Sequence, residues 1–336
     1  MVIRIGMISF AHLHAYSYAE CLKRIPERVE ISGIFDEDRD RGRAVGEKLG
    51  VPFFESCDRL LHEDIQGVIL CAENAKHKDY TLKAAEAGKH ILCEKPISVS
   101  MADSQAMIDA CKNHNVQLMI AFPCRYSTAL YRTRQLVREA RLGRILGMKG
   151  TNHGTMPGGW FIQKELSGGG AVIDHTVHVV DFWRWMLERE VVSVYAEAGK
   201  LFYPELPVED AGLLALEFEG DIFATLDTSW SRPNRSFPTW GDFTLEIVGD
   251  QGSITVDAFK QQIEIFNNKK IKAEWACWTD DINRGLIEAF LNMIEDGTDS
   301  PISGYDGLKA MEVAIGAYRS LETGEPVSLP LRGSEL

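Results

Sequence analysis

The chain reads as two unlike folds in succession. The first is an α/β unit built on a parallel sheet. The second is an α+β unit with a large, mostly antiparallel, open-faced sheet and helices on one face. Two observations carry this. Up to residue 123, short continuous apolar runs alternate with helical patterns, the mark of strands buried on both faces. Beyond it, longer strand-like segments follow one another with few helices between them. The division is therefore drawn as 1–123 and 124–336, and an arrangement in which the last helices pack back on the first domain stays open.

In the first domain Val2–Ser9 is a strand and Leu13–Arg24 a helix. Val29–Phe35 and Asp38–Leu49 repeat the pair, the first as strand and the second as helix. Gly67–Cys71 is a buried strand, Lys76–Ala87 a helix and His90–Cys93 another strand. Gly88 stands where a left-handed helix cap is expected. A helix over 102–113 and a strand over Val116–Ala121 complete the series. The second domain opens with a helix at Thr128–Arg141, followed by strands near 145–155, 191–198, 211–218, 222–231, 242–248, 253–257 and 261–266. Glu219-Gly220-Asp221 joins two of these as a hairpin turn. One strong helix, Val172–Leu187, interrupts the strands, and two more close the chain near 281–296 and 305–322.

Composition narrows the function. The length of 336 residues allows two or three domains, and 45% hydrophobic with 25% charged residues is ordinary for a globular protein. The net charge is 36 − 49 = −13, which argues against nucleic acid as the main partner. No apolar run reaches the ~18 residues of a membrane span, and Met1–Ile5 enters a strand at once, so neither membrane insertion nor a leader is expected. The seven cysteines are odd in number and irregularly spaced, with no Cys-x-x-Cys. A disulfide framework or structural zinc is not expected, and the cytoplasm is the expected compartment.

The first strand-to-helix turn, Gly6-Met7-Ile8-Ser9-Phe10-Ala11-His12-Leu13-His14, stands where a dinucleotide site carries G-x-G-x-x-G. Ser9, Ala11 and His14 replace the glycines, so the motif fails while the geometry of a Rossmann-type turn survives in part. Pyrophosphate is held by the N–H groups of a helix N-terminus, which most residues supply. Asp36 ends the second strand, 36 − 14 = 22 positions on, where an acidic residue would bind the ribose 2′-hydroxyl. That favours NAD over NADP, against which Arg39, Arg41 and Arg43 stand nearby. His12 and His14 raise a metal question, but with no third ligand evident they are taken as exposed loop residues or phosphate contacts, and no metal is expected.

Two further segments carry chemistry. Asp174 and His178 are four apart on a predicted helix and share one face, where a carboxylate can orient an imidazole. Gly168-Gly169-Gly170 lets the chain pass close to something just before that helix. Lys95 follows an apolar strand at its carboxyl edge, where ligands bind in open α/β sheets. An ion pair on a helix and a solvated lysine are the plain alternatives.

The run Gly88-Lys89-His90-Ile91-Leu92-Cys93-Glu94-Lys95-Pro96 resembles the glucose–fructose oxidoreductase/inositol dehydrogenase (Gfo/Idh/MocA) family, whose members carry Glu-Lys-Pro after such a strand. Cys71-Ala72-Glu73-Asn74-Ala75-Lys76-His77 is similar to that family's Thr-Pro-Asn-x-x-His, matching at Asn74 and His77. Gly168–Gly170 with Asp174 and His178 is similar to its Gly-Gly-Gly-x-x-x-Asp-x-x-x-His. The resemblance spans about residues 2–330 and implies an NAD(P)-dependent oxidoreductase acting on a secondary hydroxyl of a sugar, polyol or cyclitol. It implies cofactor contacts from Ser9, Phe10, Ala11, His12, Asp36, Cys71, Glu73, Asn74, His77, Glu94 and Lys95, and a cis Lys95–Pro96 peptide. Lys95, Asp174 and His178 take the catalytic roles: His178 as base, Asp174 fixing its tautomer, Lys95 steadying the alkoxide. Arg125, His153, Trp160 and His175 join them as substrate contacts. Three rivals stand beside this reading: an NAD-dependent lyase or glycosidase without net redox, a metal-assisted isomerase or hydrolase using Asp174, His175 and His178, and a non-catalytic carbohydrate-binding relic. An exposed sheet of this size calls for cover, so a homodimer or homotetramer through the C-terminal sheet is expected.

Overall fold

The computed structural model describes residues 2–239, 241–260, 262–265, 274–277 and 281–331. The chain divides into two compact units, one of residues 1–123 with 282–308 and the other of 124–281 with 309–336.

The first unit alternates strand and helix: β1 Ile3–Ile8, α1 His14–Lys23, β2 Val29–Phe35, α2 Arg39–Leu49, β3 Phe53–Phe54, α3 Cys57–Leu61, β4 Gly67–Leu70, α4 His77–Glu86, β5 His90–Cys93, α5 Met101–Asn113 and β6 Leu118–Ile120. All pairings are parallel, in the order β3-β2-β1-β4-β5-β6. This is the doubly wound dinucleotide-binding order, with its switch point between β1 and β4. Local chemistry sets the helix ends. Asp38 and Ser100 cap α2 and α5 by accepting the N–H groups of Arg41 and Asp103. Gly88 takes φ +71° after α4, the left-handed stop read from the sequence. The elements β3 and α3 were not anticipated, since two and five residues are too few to show a period.

The second unit holds α6 Thr128–Arg138, β7 Ile145–Thr155, α7 Lys164–Ser167, α8 Ala171–Leu187, β8 Val191–Gly199, β9 Ala211–Phe218, β10 Ile222–Arg232, β11 Gly241–Gly249, β12 Gly252–Asp257, β13 Gln262–Ile265 and β14 Glu274–Cys277. The strand expected at 261–266 is present over 262–265, and its end residues lie outside the described ones. Helix α9, Ile282–Asp296, belongs to the first unit; α10, Gly304–Thr323, starts there and ends in the second, where β15 Val327–Ser328 follows. The main sheet runs β12-β11-β7-β10-β9-β8-β15. It is mixed: β7 and β10 are parallel, and the other pairs antiparallel. The hairpin at 219–221 is there, with Phe218 opposite Ile222.

Helix α8 packs on β7, β9 and β10 and is buried along nearly its whole length. The strands alternate accordingly, with one face against α8 and the other carrying exposed Leu213, Phe223 and Val248. Among the described residues no helix is long and apolar enough to cross a membrane.

The start of α8 explains its glycines. A Cβ on Gly169 would lie 1.9 Å from the Tyr318 hydroxyl, and one on Gly170 would lie 1.9 Å from the Glu209 carbonyl oxygen. That room is used for capping. The N–H groups of Gly170 and Val172 donate to Glu209 Oε1 at 2.9 and 3.1 Å, and those of Gly170 and Ile173 to the Tyr318 oxygen at 3.2 and 3.3 Å. Tyr318 in turn donates to Glu209 at 2.7 Å. We expect Gly170→Ala to cost about 1–3 kcal/mol by overpacking, read as a lower midpoint in urea unfolding, while Gly88→Asn, at an open left-handed position, leaves the midpoint nearly unchanged.

Candidate active-site residues

In the first unit the β1–α1 turn keeps a glycine-like shape without glycine. Ser9 takes φ +67°, a conformation that L side chains adopt at a cost. Its hydroxyl accepts the Ala11 N–H at 3.1 Å. The Phe10 N–H goes to Asp36 at 2.8 Å and the His12 N–H to the Cys71 carbonyl at 3.0 Å. The turn thus fits a dinucleotide fold, but the N–H groups of Phe10, Ala11 and His12 expected for pyrophosphate are already donated within the protein. Asp36 is equally engaged. Besides Phe10 it accepts the Asp38 N–H at 3.0 Å and two N–H groups of Arg41 at 2.8 and 2.6 Å. Its four acceptor positions are filled, and a ribose hydroxyl reaches it only by displacing one of these donors, of which the Arg41 side chain is partly exposed.

His12 and His14 are not the exposed loop residues the sequence suggested. His12 is 4% exposed. His14 Nδ1 lies 3.0 Å from Glu94 Oε1, and His12 Nε2 lies 4.0 Å from Glu94 Oε2. The Tyr18 hydroxyl donates to Glu94 at 2.5 Å, and the Lys95 N–H at 3.1 Å. Burial alone would raise the Glu94 pKa, but His12, His14 and Tyr18 hold it below the usual carboxylate range. Burial and Glu94 push the Tyr18 hydroxyl up, which keeps it a donor. The atoms of His12, His14 and Glu94 lie close enough to share an ion. The tautomer speaks against it. His12 Nδ1 accepts the His14 N–H at 3.2 Å, so its Nε2 carries the hydrogen and faces Glu94 as a donor. Among the described residues, Asp174, His175 and His178 do not bring their ligand atoms together as His12, His14 and Glu94 do.

The Glu94-Lys95-Pro96 segment sits at the carboxyl end of β5, with the Lys95–Pro96 peptide cis and Lys95 buried. His77 clamps it. Its ring nitrogens lie 3.0 Å from the Pro96 carbonyl and 3.1 Å from the Ala72 carbonyl, it is wholly buried, and burial lowers its pKa. Asn74 is buried beside it in the chain, at the turn where Glu73 pairs with Lys76. These residues shape the end of β4 and β5 through contacts within the protein.

In the second unit α8 presents Asp174, His175 and His178. Asp174 Oδ2 accepts the Trp230 indole N–H at 3.1 Å and lies 3.5 Å from His175 Nε2. His175 Nδ1 lies 2.9 Å from Asn152 Oδ1. The imidazole seen at this carboxylate oxygen is therefore that of His175, whereas the sequence pairs Asp174 with His178 from helical spacing alone. His178 is buried on the same helix. His153 points the other way. Asn152 faces α8, so its neighbour on β7 faces the open side of the sheet, where His153 lies 3.1 Å from both Asp227 and Asp242. Arg125 is spent as well: it donates to both oxygens of Asp181 at 2.9 and 2.6 Å, and both side chains are buried. Trp160 stacks on Phe161 at 3.9 Å between ring centroids. Sequence reasoning missed Tyr18, Asn152, Trp230, Glu209 and Tyr318, and it named Arg41 only as one of three arginines near Asp36.

These features define a protein with a dinucleotide-fold unit and a mixed-sheet second unit. The comparisons agree. Residues 3–122 match the model of an oxidoreductase family with an NAD-binding Rossmann fold, and residues 131–255 match the GFO/IDH/MocA C-terminal domain. The chain belongs to the Gfo/Idh/MocA oxidoreductase family. It is 28% identical to the uncharacterized oxidoreductase YrbE of Bacillus subtilis (strain 168), over 93% of this chain and 92% of that one. It is 26% identical to the myo-inositol 2-dehydrogenase of Thermotoga maritima, over 97% and 98%. The crystal structure of GenD2 from gentamicin A biosynthesis, in complex with NAD, has the same fold, with a TM-score of 0.89 at 23% identity, covering 98% of this chain and 96% of that one.

The His153 cluster makes a pH prediction. Burial pulls the His153 pKa down, but Asp227 and Asp242 outweigh it and push it up to about 9. A folded value above the unfolded one, about 6.5, gives stability that is full below pH 6.5 and lost as pH rises through about 9. The melting temperature of wild type should exceed that of His153→Asn at pH 6, with the gap closing as pH passes 9. A gap that widens with pH would contradict the pairing.

Proposed function

We propose that this protein is an NAD(P)-dependent dehydrogenase that takes a hydride from a secondary hydroxyl of a sugar, polyol or cyclitol. The observation that carries the reading is the Asp174 carboxylate, held by Trp230 on the helix that also bears His175 and His178. The nicotinamide, when bound, supplies the hydride acceptor. His178 takes the hydroxyl proton as general base. Lys95, after the buried end of β5, donates a hydrogen bond to the same oxygen and steadies the negative charge growing there. Asp174 orients the proton-accepting side. The substrate class rests on relatives such as the myo-inositol 2-dehydrogenase of Thermotoga maritima.

NAD is the favoured cofactor, because a carboxylate at Asp36 repels a 2′-phosphate. Arg41 moderates that preference by neutralising Asp36. The sheet face bearing Leu213, Phe223 and Val248 is the surface by which two copies associate. The relic reading draws on one observation, the internal use of the Phe10, Ala11 and His12 N–H groups. Calorimetric titration separates the two: binding of NAD supports the dehydrogenase, and failure of both NAD and NADP at millimolar concentration supports the relic.

With a substrate found by screening cyclitols and sugars for NADH formation, Lys95→Met and His178→Ala should each lower kcat about 10²–10⁴-fold. Normal turnover in both variants would remove these roles. Arg41→Ala should strengthen NAD binding several-fold and weaken NADP binding, measured by the same calorimetry. An unchanged ratio would mean that Asp36 and Arg41 do not meet the ribose. Light scattering should give a mass above the monomer, and a concentration-independent monomer would rule out the sheet-face contact.

A further inference from the structure

The amide of Asn152 can be oriented without ambiguity. Its Nδ2 donates to the Asp242 carbonyl oxygen at 2.9 Å, so its Oδ1 is the acceptor that faces His175 Nδ1 at 2.9 Å. His175 Nδ1 therefore carries a hydrogen. The other ring nitrogen then faces Asp174 Oδ2 at 3.5 Å, in a place where His175 is 4% exposed. A neutral ring would set a nitrogen lone pair against a carboxylate oxygen, with little water to screen the repulsion. A proton between them removes it. The pair is then an imidazolium next to a carboxylate whose geometry the Trp230 N–H fixes.

We infer that His175 is a positioning residue: it neutralises Asp174, so that His178 keeps its free-base form at neutral pH. The inference rests on the dehydrogenase reading and adds a residue to it. Asp174 and His178 are one helical turn apart. An uncompensated carboxylate there would stabilise the protonated form of His178, and a protonated imidazole cannot accept the substrate proton. With its charge already balanced by His175, Asp174 can align the site without disarming the base.

Among the described residues of the second unit, the other charged groups near α8 have partners of their own. On α8 itself Asp181 is paired with Arg125, and Arg184 with Glu190. At its N-terminus Glu209 accepts backbone N–H groups. From α6, Arg134 donates to the Trp185 carbonyl oxygen and to Glu188. On β7, β10 and β11, His153, Asp227, Arg232 and Asp242 form their own cluster on the opposite face of the sheet. Before β9, Asp210 accepts the N–H groups of Leu201, Phe202 and Tyr203.

The test is nitrogen-15 NMR of full-length protein labelled at histidine, which reports each ring's protonation and tautomer without any substrate. In wild type at pH 7 the His175 ring should show the imidazolium pattern and the His178 ring a neutral one. Asp174→Asn should return His175 to a neutral ring with its hydrogen on Nδ1. His175→Gln should raise the His178 titration midpoint by about one pH unit, a tenfold gain in proton affinity. A neutral His175 at pH 7 in wild type overturns the inference, and so does a His178 midpoint that His175→Gln leaves in place. If His175→Gln does not fold, the wild-type and Asp174→Asn spectra still decide. The activity arm is separate: the acid limb of kcat/KM for myo-inositol oxidation with NAD should move up with the His178 midpoint in His175→Gln. A wild type that turns over no cyclitol or sugar counts against the dehydrogenase reading, while the NMR result on the Asp174–His175 pair stands by itself.

Discussion

The second unit depends on how α8 begins. Gly169 and Gly170 bring the chain so close to Tyr318 and Glu209 that no side chain fits, and those two groups then hold the first N–H groups of the helix. A helix N-terminus is a natural place for an anion. Here the protein supplies its own carboxylate, so the end is closed and the helix phase is fixed. That phase puts Asn152 of β7 against His175 and Trp230 of β10 against Asp174. A small rotation of α8 would part all of them at once, because buried side chains have little room to follow.

The first unit solves a different problem, a buried carboxylate. Glu94 is enclosed by imidazoles, a phenol and a backbone N–H. A buried charge is tolerated only when such donors converge. The cost is that the β1–α1 turn becomes tied to the end of β5. At the third position of the usual fingerprint, where a glycine would stand, His14 is large and reaches Glu94. Ser9 keeps the left-handed backbone of the missing glycine, so the fold survives the change of residue. The same economy holds at Asp36, whose charge is fully used by Arg41 and the backbone before any ligand arrives.

The chemistry proposed for the protein is therefore a matter of which charges are already balanced. Asp36 is balanced by Arg41 and Asp181 by Arg125, Glu94 is held by hydrogen-bond donors, and Asp174 is, by the inference above, paired with His175. The proposed reaction gives proton transfer to His178 and stabilisation of the growing charge to Lys95. Arg125, which from the sequence looked like a substrate contact, shows how far such pairing reaches: a guanidinium bound through two N–H groups to a buried carboxylate holds structure together.

Much of this could be read directly from the chain. Continuous apolar runs up to residue 123 gave the parallel sheet, and alternation beyond it gave the open-faced one, because strand burial writes itself into residue order. The Glu94-Lys95-Pro96 and Gly168–His178 segments were visible because they are contiguous. Helical spacing put Asp174 and His178 on one face. It could not say that His175 would meet the carboxylate, since that depends on Asn152 and Trp230, which lie 23 and 56 positions from their partners. His153 and Asn152 are neighbours in sequence yet look to opposite faces of the sheet, a fact set by the pleat and by which face α8 covers. Composition and local period thus determined the elements and the family. The pairing of charges was decided only by the tertiary structure, because a charge is balanced by whatever lies within a few ångströms of it, however far away that group stands along the chain.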